Sequence, residues 1–513
     1  MQNILLNIKP REYQQKIFET AKKDNTLIVL PTGLGKTLIG LMLSIERIKE
    51  FPGKKILFLA PTKPLVEQHL NYFKKNLPEL FADLQIFTGT VPSEKREKIF
   101  QTAEIIFSTP QCIANDLRAE LYNLTEVVLL IIDEAHRCLK NYDYTNVVNF
   151  YKSQGINKRI LGMTASPGSD LEKVRQICQN LDIKNFEIRN RDSEDVKPYL
   201  EERTFQKVSV PFPQEFIEIR ILFKKIFSNK VEQLKKRNLL FGPANKISLL
   251  KLQNNLARQI SSRNFNAMIG MSLTAQAIKI SHAIELLETQ TISGLNEYLK
   301  GLIQQADQKK SKGVQTLVNS PEFKASLISL KDLLGKKIEH PKIEEVSVLV
   351  ENEFKENPSS KIIIFSQFRE TASKISERIK KIPNVNSSIF IGQAKKKESG
   401  LSQKDQKRII EEFREGKINV ICSTSIGEEG LDIPEVSAVI FYEPIPSAIR
   451  KIQREGRTAR LSPGKLIILI TKDTRDEINH FASSVKEKKM YKNLEIVKEE
   501  IKNLPKTLDE FKL

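Results

Sequence analysis

The sequence predicts an α/β protein made of two parallel-sheet lobes with a mostly helical insert between them. Three observations carry this reading. Short apolar, β-branched runs cluster at both ends of the chain, helix-compatible stretches separate them, and the middle lacks strand signals. A run that is apolar on both faces fits a strand covered by helices on both sides, which is the parallel arrangement.

In the first lobe, expected over residues 1–205, the runs are TLIVL before Pro31, KILFLA at 55–60, EIIFS at 104–108, VVLLIID at 127–133 and RILGMT at 159–164. Amphipathic segments such as LVEQHLNYFKK lie between them. The same grammar returns in KIIIFS at 361–366, SSIFI at 387–391, INVICS at 418–423, SAVIFY at 437–442 and KLIILIT at 465–471. These define a second lobe at 343–490, followed by a tail at 491–513. No short repeat period is visible, so the chain duplicates an architecture rather than stacking a solenoid. The length of 513 residues also exceeds what one core holds.

The insert is expected over 206–342, where stretches such as NAMIGMSLTAQAIKISHAIELLE carry apolar residues at helical spacing. Between 221 and 280 stand Lys224, Lys225, Lys230, Lys235, Lys236, Arg237, Lys246, Lys251, Arg258, Arg263 and Lys279, against one acid, Glu232. A solvated helix face usually mixes both signs, so this excess favours a phosphate-contacting surface. The formal net charge of +19 points the same way, although a lysine-rich solvated surface would also produce it.

Cys112, Cys138, Cys178 and Cys422 lie far apart without a CxxC pair, which argues against a disulfide framework or structural zinc. No apolar run approaches the roughly 18 residues of a membrane span. The start, MQNILLNIKPREYQQ, lacks a signal peptide's long apolar stretch and cleavage site. The expected location is cytoplasmic, nucleoid-associated in a prokaryote, with no membrane partner.

Chemistry first appears in PTGLGKT, directly after TLIVL. A glycine-rich turn between strand and helix lets backbone N–H groups point at phosphate oxygens. Thr32, Gly33, Leu34 and Gly35 form that turn, Lys36 neutralises β- and γ-phosphates, and the Thr37 hydroxyl can ligate Mg²⁺. The full Walker pattern has a glycine where Leu30 stands. Asp133 and Glu134 end the strand VVLLIID, at the sheet edge where open α/β folds bind ligands. Asp133 is placed to hold Mg²⁺ through water, and Glu134 to orient or deprotonate the attacking water. His136 is read as coupled to the TAS segment at 164–166, the alternative being a satisfied structural histidine.

QREGRTAR at 453–460 spaces arginines along one helical face. Alone it reads as a basic helix end. Opposite a phosphate loop, Arg457 and Arg460 become arginine fingers, with Gln453 near the γ-phosphate, and hydrolysis then depends on lobe closure.

Taken in order, PTGLGKT, APTKPLVEQH, STPQ, DEAH, TASP, STSIGEEGLDIPE and QREGRTAR resemble a superfamily 2 DEAH-type helicase, whose lobes are RecA-like P-loop NTPase domains. IANDL, NYDYTNV, MTASPGSD, GLSQKDQ, and TRDE followed by KEKKM narrow the resemblance to the helicase part of archaeal Hef and eukaryotic FANCM. The resemblance implies ATP and Mg²⁺ as cofactors. It implies that Arg11 and Gln14 meet adenine, and that Asp432 lies near the ribose. Backbone-tracking contacts to nucleic acid would come from Thr62, Lys63, Thr109 and Gln111 in one lobe and Gln367, Gln393 and Thr424 in the other, with little base specificity.

Two departures stand out. Ala459 replaces the usual glycine between the last arginines, a change expected to restrict the backbone slightly. Hef relatives often continue into an XPF-type nuclease region, whereas this sequence stops at Leu513, so no nuclease is expected from these residues. The leading expectation is an ATP-dependent DNA translocase or helicase acting on forked, branched or duplex DNA in fork processing and repair, with a sliding clamp or repair nuclease as protein partner. An RNA or double-stranded RNA motor and an ATP-gated clamp stay open, as does the oligomeric state.

Overall fold

Burial on both faces turns the apolar runs into the inner strands of two sheets. The computed structural model describes residues 4–6, 8–140, 142–260, 264–392, 400–427, 433–459 and 463–503. Gln393, Asp432 and Arg460 lie outside them.

The first sheet contains β1 (Thr26–Val29), β2 (Lys55–Leu59), β3 (Leu84–Phe87), β4 (Ile105–Ser108), β5 (Val127–Asp133), β6 (Ile160–Thr164) and β7 (Asn185–Ile188). Its order is β3-β4-β2-β5-β6-β1-β7, with every pairing parallel. The second contains β8 (Arg203–Val210), β9 (Ile362–Phe365), β10 (Ser387–Phe390), β11 (Val420–Ser423), β12 (Ala438–Phe441) and β13 (Gly464–Thr471). It runs β10-β11-β9-β12-β13-β8, again parallel throughout. In such sheets all strand C-termini share one edge, so loops distant in sequence gather there. The expected architecture of two parallel-sheet lobes and a helical segment is the observed one.

The expected divisions at 205/206 and 490/491 both fall inside regular elements. Strand β8 registers with β13 from Arg203↔Gly464 to Val210↔Thr471, so the chain enters the second sheet before the insert begins. It is an edge strand exposed over Thr204–Lys207 and buried only at Val210, which explains why it has no continuous apolar run. The supposed tail begins inside one helix, Arg475–Lys502. That helix leaves the second lobe and lodges in the first, where Met490, Leu494 and Val497 join the core beside Ile177 and Cys178. Ser166 Oγ lies 2.8 Å from Met490 Sδ, and Asn493 donates to the Ser169 carbonyl.

The insert is helical across Ile217–Lys236, Lys246–Ile260, Phe265–Thr289, Ile292–Asp307, Lys312–Val318 and Pro321–Gly335. Its apolar centre is built from residues such as Phe216, Phe223, Ile280, Leu287, Leu299 and Phe323. Lys224, Lys225, Lys235, Lys236, Arg237, Lys246, Lys251 and Arg258 are exposed. A buried polar joint ties the insert to the second lobe. Gln290 donates to Glu443 at 3.2 Å, and Glu443 also accepts the Gln367 backbone N–H at 2.6 Å. Lys342, at the start of Lys342–Glu356, is ion-paired with Asp476 at the start of the long final helix, both fully buried.

Candidate nucleotide site and nucleic-acid surface

The loop after β1 reaches the helix Lys36–Glu50 through Gly33 (φ +84°) and Gly35 (φ +77°), left-handed conformations that cost glycine least. Leu30 is fully buried, and its carbonyl accepts from Lys36 Nζ at 2.8 Å, so its side chain serves the core while its backbone serves the loop. A phosphate arriving here would draw Lys36 off that carbonyl.

Gln14 braces this loop. Its amide nitrogen donates to the Leu34 carbonyl at 3.1 Å and its oxygen accepts the Arg11 N–H at 2.9 Å. Both ends of the side chain are therefore engaged with backbone, beside the phosphate loop. Arg11 sits over the Tyr199 ring, 5.1 Å from its centroid. Tyr13, which sequence reasoning passed over, also donates to Leu34, at 2.8 Å.

Asp133 closes β5 with its carboxylate facing His69, whose Nε2 lies 2.8 Å from Oδ2. The His69 Nδ1 lies 3.4 Å from the Thr37 hydroxyl. Burial pushes the Asp133 carboxyl up, but the His69 hydrogen bond and the charges of His69 and Lys36 outweigh it, leaving the group below its ordinary range. Thr37 and Asp133 thus offer a hydroxyl and an ionised carboxylate within reach of one imidazole, hard oxygen donors that fit Mg²⁺. Glu134 adopts the left-handed conformation (φ +52°), strained for a non-glycine residue and of the kind held at functional sites. Its Oε2 is 3.3 Å from His136 Nδ1, which lies 3.1 Å from Thr164 Oγ1 in the TAS segment.

From the second lobe, the helix Ala448–Glu455 brings Ile452, Glu455 and the following Gly456 to the seam, and Gln453, on that helix, and Arg457, just beyond its end, are buried. Gly456 packs directly on Thr32, and Arg191 of the first lobe reaches the Ala459 carbonyl at 3.5 Å. Ala459 has φ +56°, so the residue that replaces a glycine occupies a conformation glycine would adopt more cheaply. A cleft of about 620 Å³ follows the seam, lined by Thr32, Arg191, Arg203, Glu455 and Gly456 among others. Neither Lys36 nor Asp133 lines it, so it adjoins the phosphate loop rather than enclosing it.

The residues nominated for tracking a nucleic-acid backbone follow neighbouring strands. Thr62 immediately precedes the helix Lys63–Asn76 after β2, and Thr109 immediately precedes Pro110–Arg118 after β4. Lys63 lies beside Glu67 at 3.8 Å, and Gln111 is exposed. In the second lobe Gln367 follows β9 and Thr424 follows β11, which are also neighbours. Parallel topology therefore gathers each set at one end of its sheet's C-terminal edge.

Comparison with known proteins places three families along the chain. Residues 11–174 match "DEAD/DEAH box helicase", 215–334 match "Putative ATP-dependent RNA helicase, helical bundle", and 341–462 match "Helicase conserved C-terminal domain". The crystal structure of the Pyrococcus furiosus Hef helicase domain is 39% identical, with a TM-score of 0.71, over 94% of this chain and 100% of that one. A Methanocaldococcus jannaschii protein named "Putative ATP-dependent RNA helicase" is 38% identical over 94% of this chain. The Neurospora crassa "ATP-dependent DNA helicase mph1" is 32% identical over 92% of it. The chain spans 60% and 42% of the lengths of those two relatives. Among the described residues no helix is long and apolar enough to cross a membrane.

Proposed function

The chain belongs to the DEAD/DEAH box helicase family, in the group of the Hef helicase domain, and from that membership we propose that it is an ATP-driven translocase or helicase acting on forked or branched DNA. The observation that carries the reading is the seam, where the phosphate loop of one lobe touches the arginine-bearing segment of the other at Thr32 and Gly456.

In this reading Lys36 exchanges the Leu30 carbonyl for phosphate oxygens, and Glu134 orients the attacking water. Gln453 and Arg457 approach from the opposite lobe, where a guanidinium stabilises charge on the transferring group. Thr37 and, through water, Asp133 would hold Mg²⁺, which supplies neutralisation of phosphate charge. Because the groups come from two lobes, hydrolysis requires closure, and closure moves one nucleic-acid-tracking edge relative to the other. The exposed basic insert would grip the duplex beside the junction. A nuclease or sliding clamp is the kind of protein partner this activity calls for.

ATP turnover should be measured with single-stranded, duplex, forked and four-way DNA alongside RNA equivalents. Stimulation greatest with forks or junctions supports the proposal, and no stimulation over nucleic-acid-free buffer sinks it. The archaeal relative's name favours a second reading, an RNA-directed motor, for which the matched RNA fork would stimulate more. Strand displacement abolished by Lys36→Ala, with DNA binding retained, eliminates a clamp that does not move.

A further inference from the structure

His69 belongs to none of the groups assigned above, yet it touches two of them. It lies on Lys63–Asn76, the helix whose N-terminal end carries Thr62 and Lys63. Its ring is only 7% exposed and packs on Phe58 of β2, with centroids 4.4 Å apart. Nε2 meets the Asp133 carboxylate at 2.8 Å, and Nδ1 faces the Thr37 hydroxyl at 3.4 Å. One imidazole therefore spans the two side chains fitted to hold the cation, from a helix that starts at the nucleic-acid edge.

We infer that His69 is a positioning residue, through which the helix Lys63–Asn76 sets the Thr37 hydroxyl and the Asp133 carboxylate for the divalent cation. Asp133 and Thr37 sit on separate elements, the end of β5 and the start of Lys36–Glu50, and His69 bonds to both while its own ring is wedged against Phe58. A partner that fixes the orientation of cation-holding side chains typically changes metal affinity 10- to 100-fold when removed. The helix is also a stiff link of about 10 Å between residues 62 and 69, at 1.5 Å per residue. A nucleic acid pressing on its first turn would be felt at the cation.

The inference rests on the proposed ATP site but is tested apart from it. Fluorescent ADP is titrated onto the full chain with Mg²⁺ and with EDTA, and the ratio of the two affinities gives the cation's contribution. His69→Ala should shrink that ratio by about tenfold or more while leaving metal-free ADP affinity and nucleotide-free DNA affinity in place. His69→Gln, whose amide nitrogen can reach the place of Nε2, should restore most of it. His69→Asn reaches only the place of Nδ1 and should behave like Ala. Thermal unfolding of each variant separates a folding defect from a positioning one. A wild-type ratio in His69→Ala, or equal behaviour of the Gln and Asn variants, overturns the inference. Absence of any Mg²⁺ dependence in the wild type instead overturns the nucleotide-site reading.

Discussion

Gly456 lies so close to Thr32 that a β-carbon built on it would stand 1.4 Å from the Thr32 hydroxyl oxygen. The two lobes meet here with room for a hydrogen and nothing larger. Thr32 is β-branched and stiff, so it has little freedom to withdraw. Gly456→Ala should hold the seam apart by about an ångström and lower kcat for ATP by roughly 100-fold, the scale set by such misplacement. DNA binding without nucleotide should persist. Steady-state turnover beside a binding titration checks both, and undiminished turnover would mean that this contact does not belong to the hydrolysing state.

Ala459 is fully buried at φ +56°. The left-handed conformation costs an L-residue roughly 1–2 kcal/mol, partly offset by the greater unfolded-state freedom of glycine. Ala459→Gly should therefore stabilise the fold by about 0.5–1 kcal/mol in urea unfolding, without loss of ATPase activity. Destabilisation would show that the methyl group packs usefully enough to outweigh the strain.

Glu443 gives the buried joint a pH signature. Burial raises its carboxyl to about 7, against pulls from Arg454, Lys342 and Gln290 that favour the ionised form. A raised folded value means the carboxyl's contribution is fully present below the unfolded value near 4.5 and is lost as pH climbs through 7. The loss amounts to about 3 kcal/mol on a scale of 1.36 kcal/mol per unit. Stability measured from pH 5 to 8 should fall across that window in the wild type and flatten in Glu443→Gln. Parallel curves for the two proteins would remove Glu443 as the cause.

Lys224 and Lys235, on the insert's first long helix, and Arg237, just after it, are exposed. If they contact phosphates, each change to Ala should reduce the slope of log affinity against log salt by about 0.9 on duplex DNA. Basal ATP turnover should stay unchanged. An unaltered salt slope in the triple variant would reduce these residues to a solvated face.

Inner strands were legible in the sequence because residues such as Ile28, Ile131 and Ile364 are buried from both sides, which no amphipathic pattern imitates. Edge strands escaped. Strand β3 is half-buried, β7 mixes Asn and Glu with Phe and Ile, and β8 is exposed along most of its length. The closing helix also escaped under its charge, although Met490, Leu494, Val497 and Ile501 recur at helical spacing. At the site, the phosphate loop and the paired acids announce themselves by local order. His69 does not, because a lone histidine on a buried helical face beside Val66, Leu70 and Phe73 reads as core. Only the meeting of β2, β5 and the phosphate-loop helix gives it partners. Gln14 was likewise invisible as a brace of the phosphate loop, because its bond to the Leu34 carbonyl joins residues 20 apart in sequence.

The 28-residue helix Arg475–Lys502, roughly 42 Å of rod at 1.5 Å per residue, starts in one lobe and is seated in the other. Drawing the lobes straight apart would pull Met490, Leu494 and Val497 into water. A pivot about that seat leaves them covered. Any opening of the lobes that keeps these three side chains covered is therefore a pivot rather than a straight separation, and the same leash would limit the gap through which a spent nucleotide could leave.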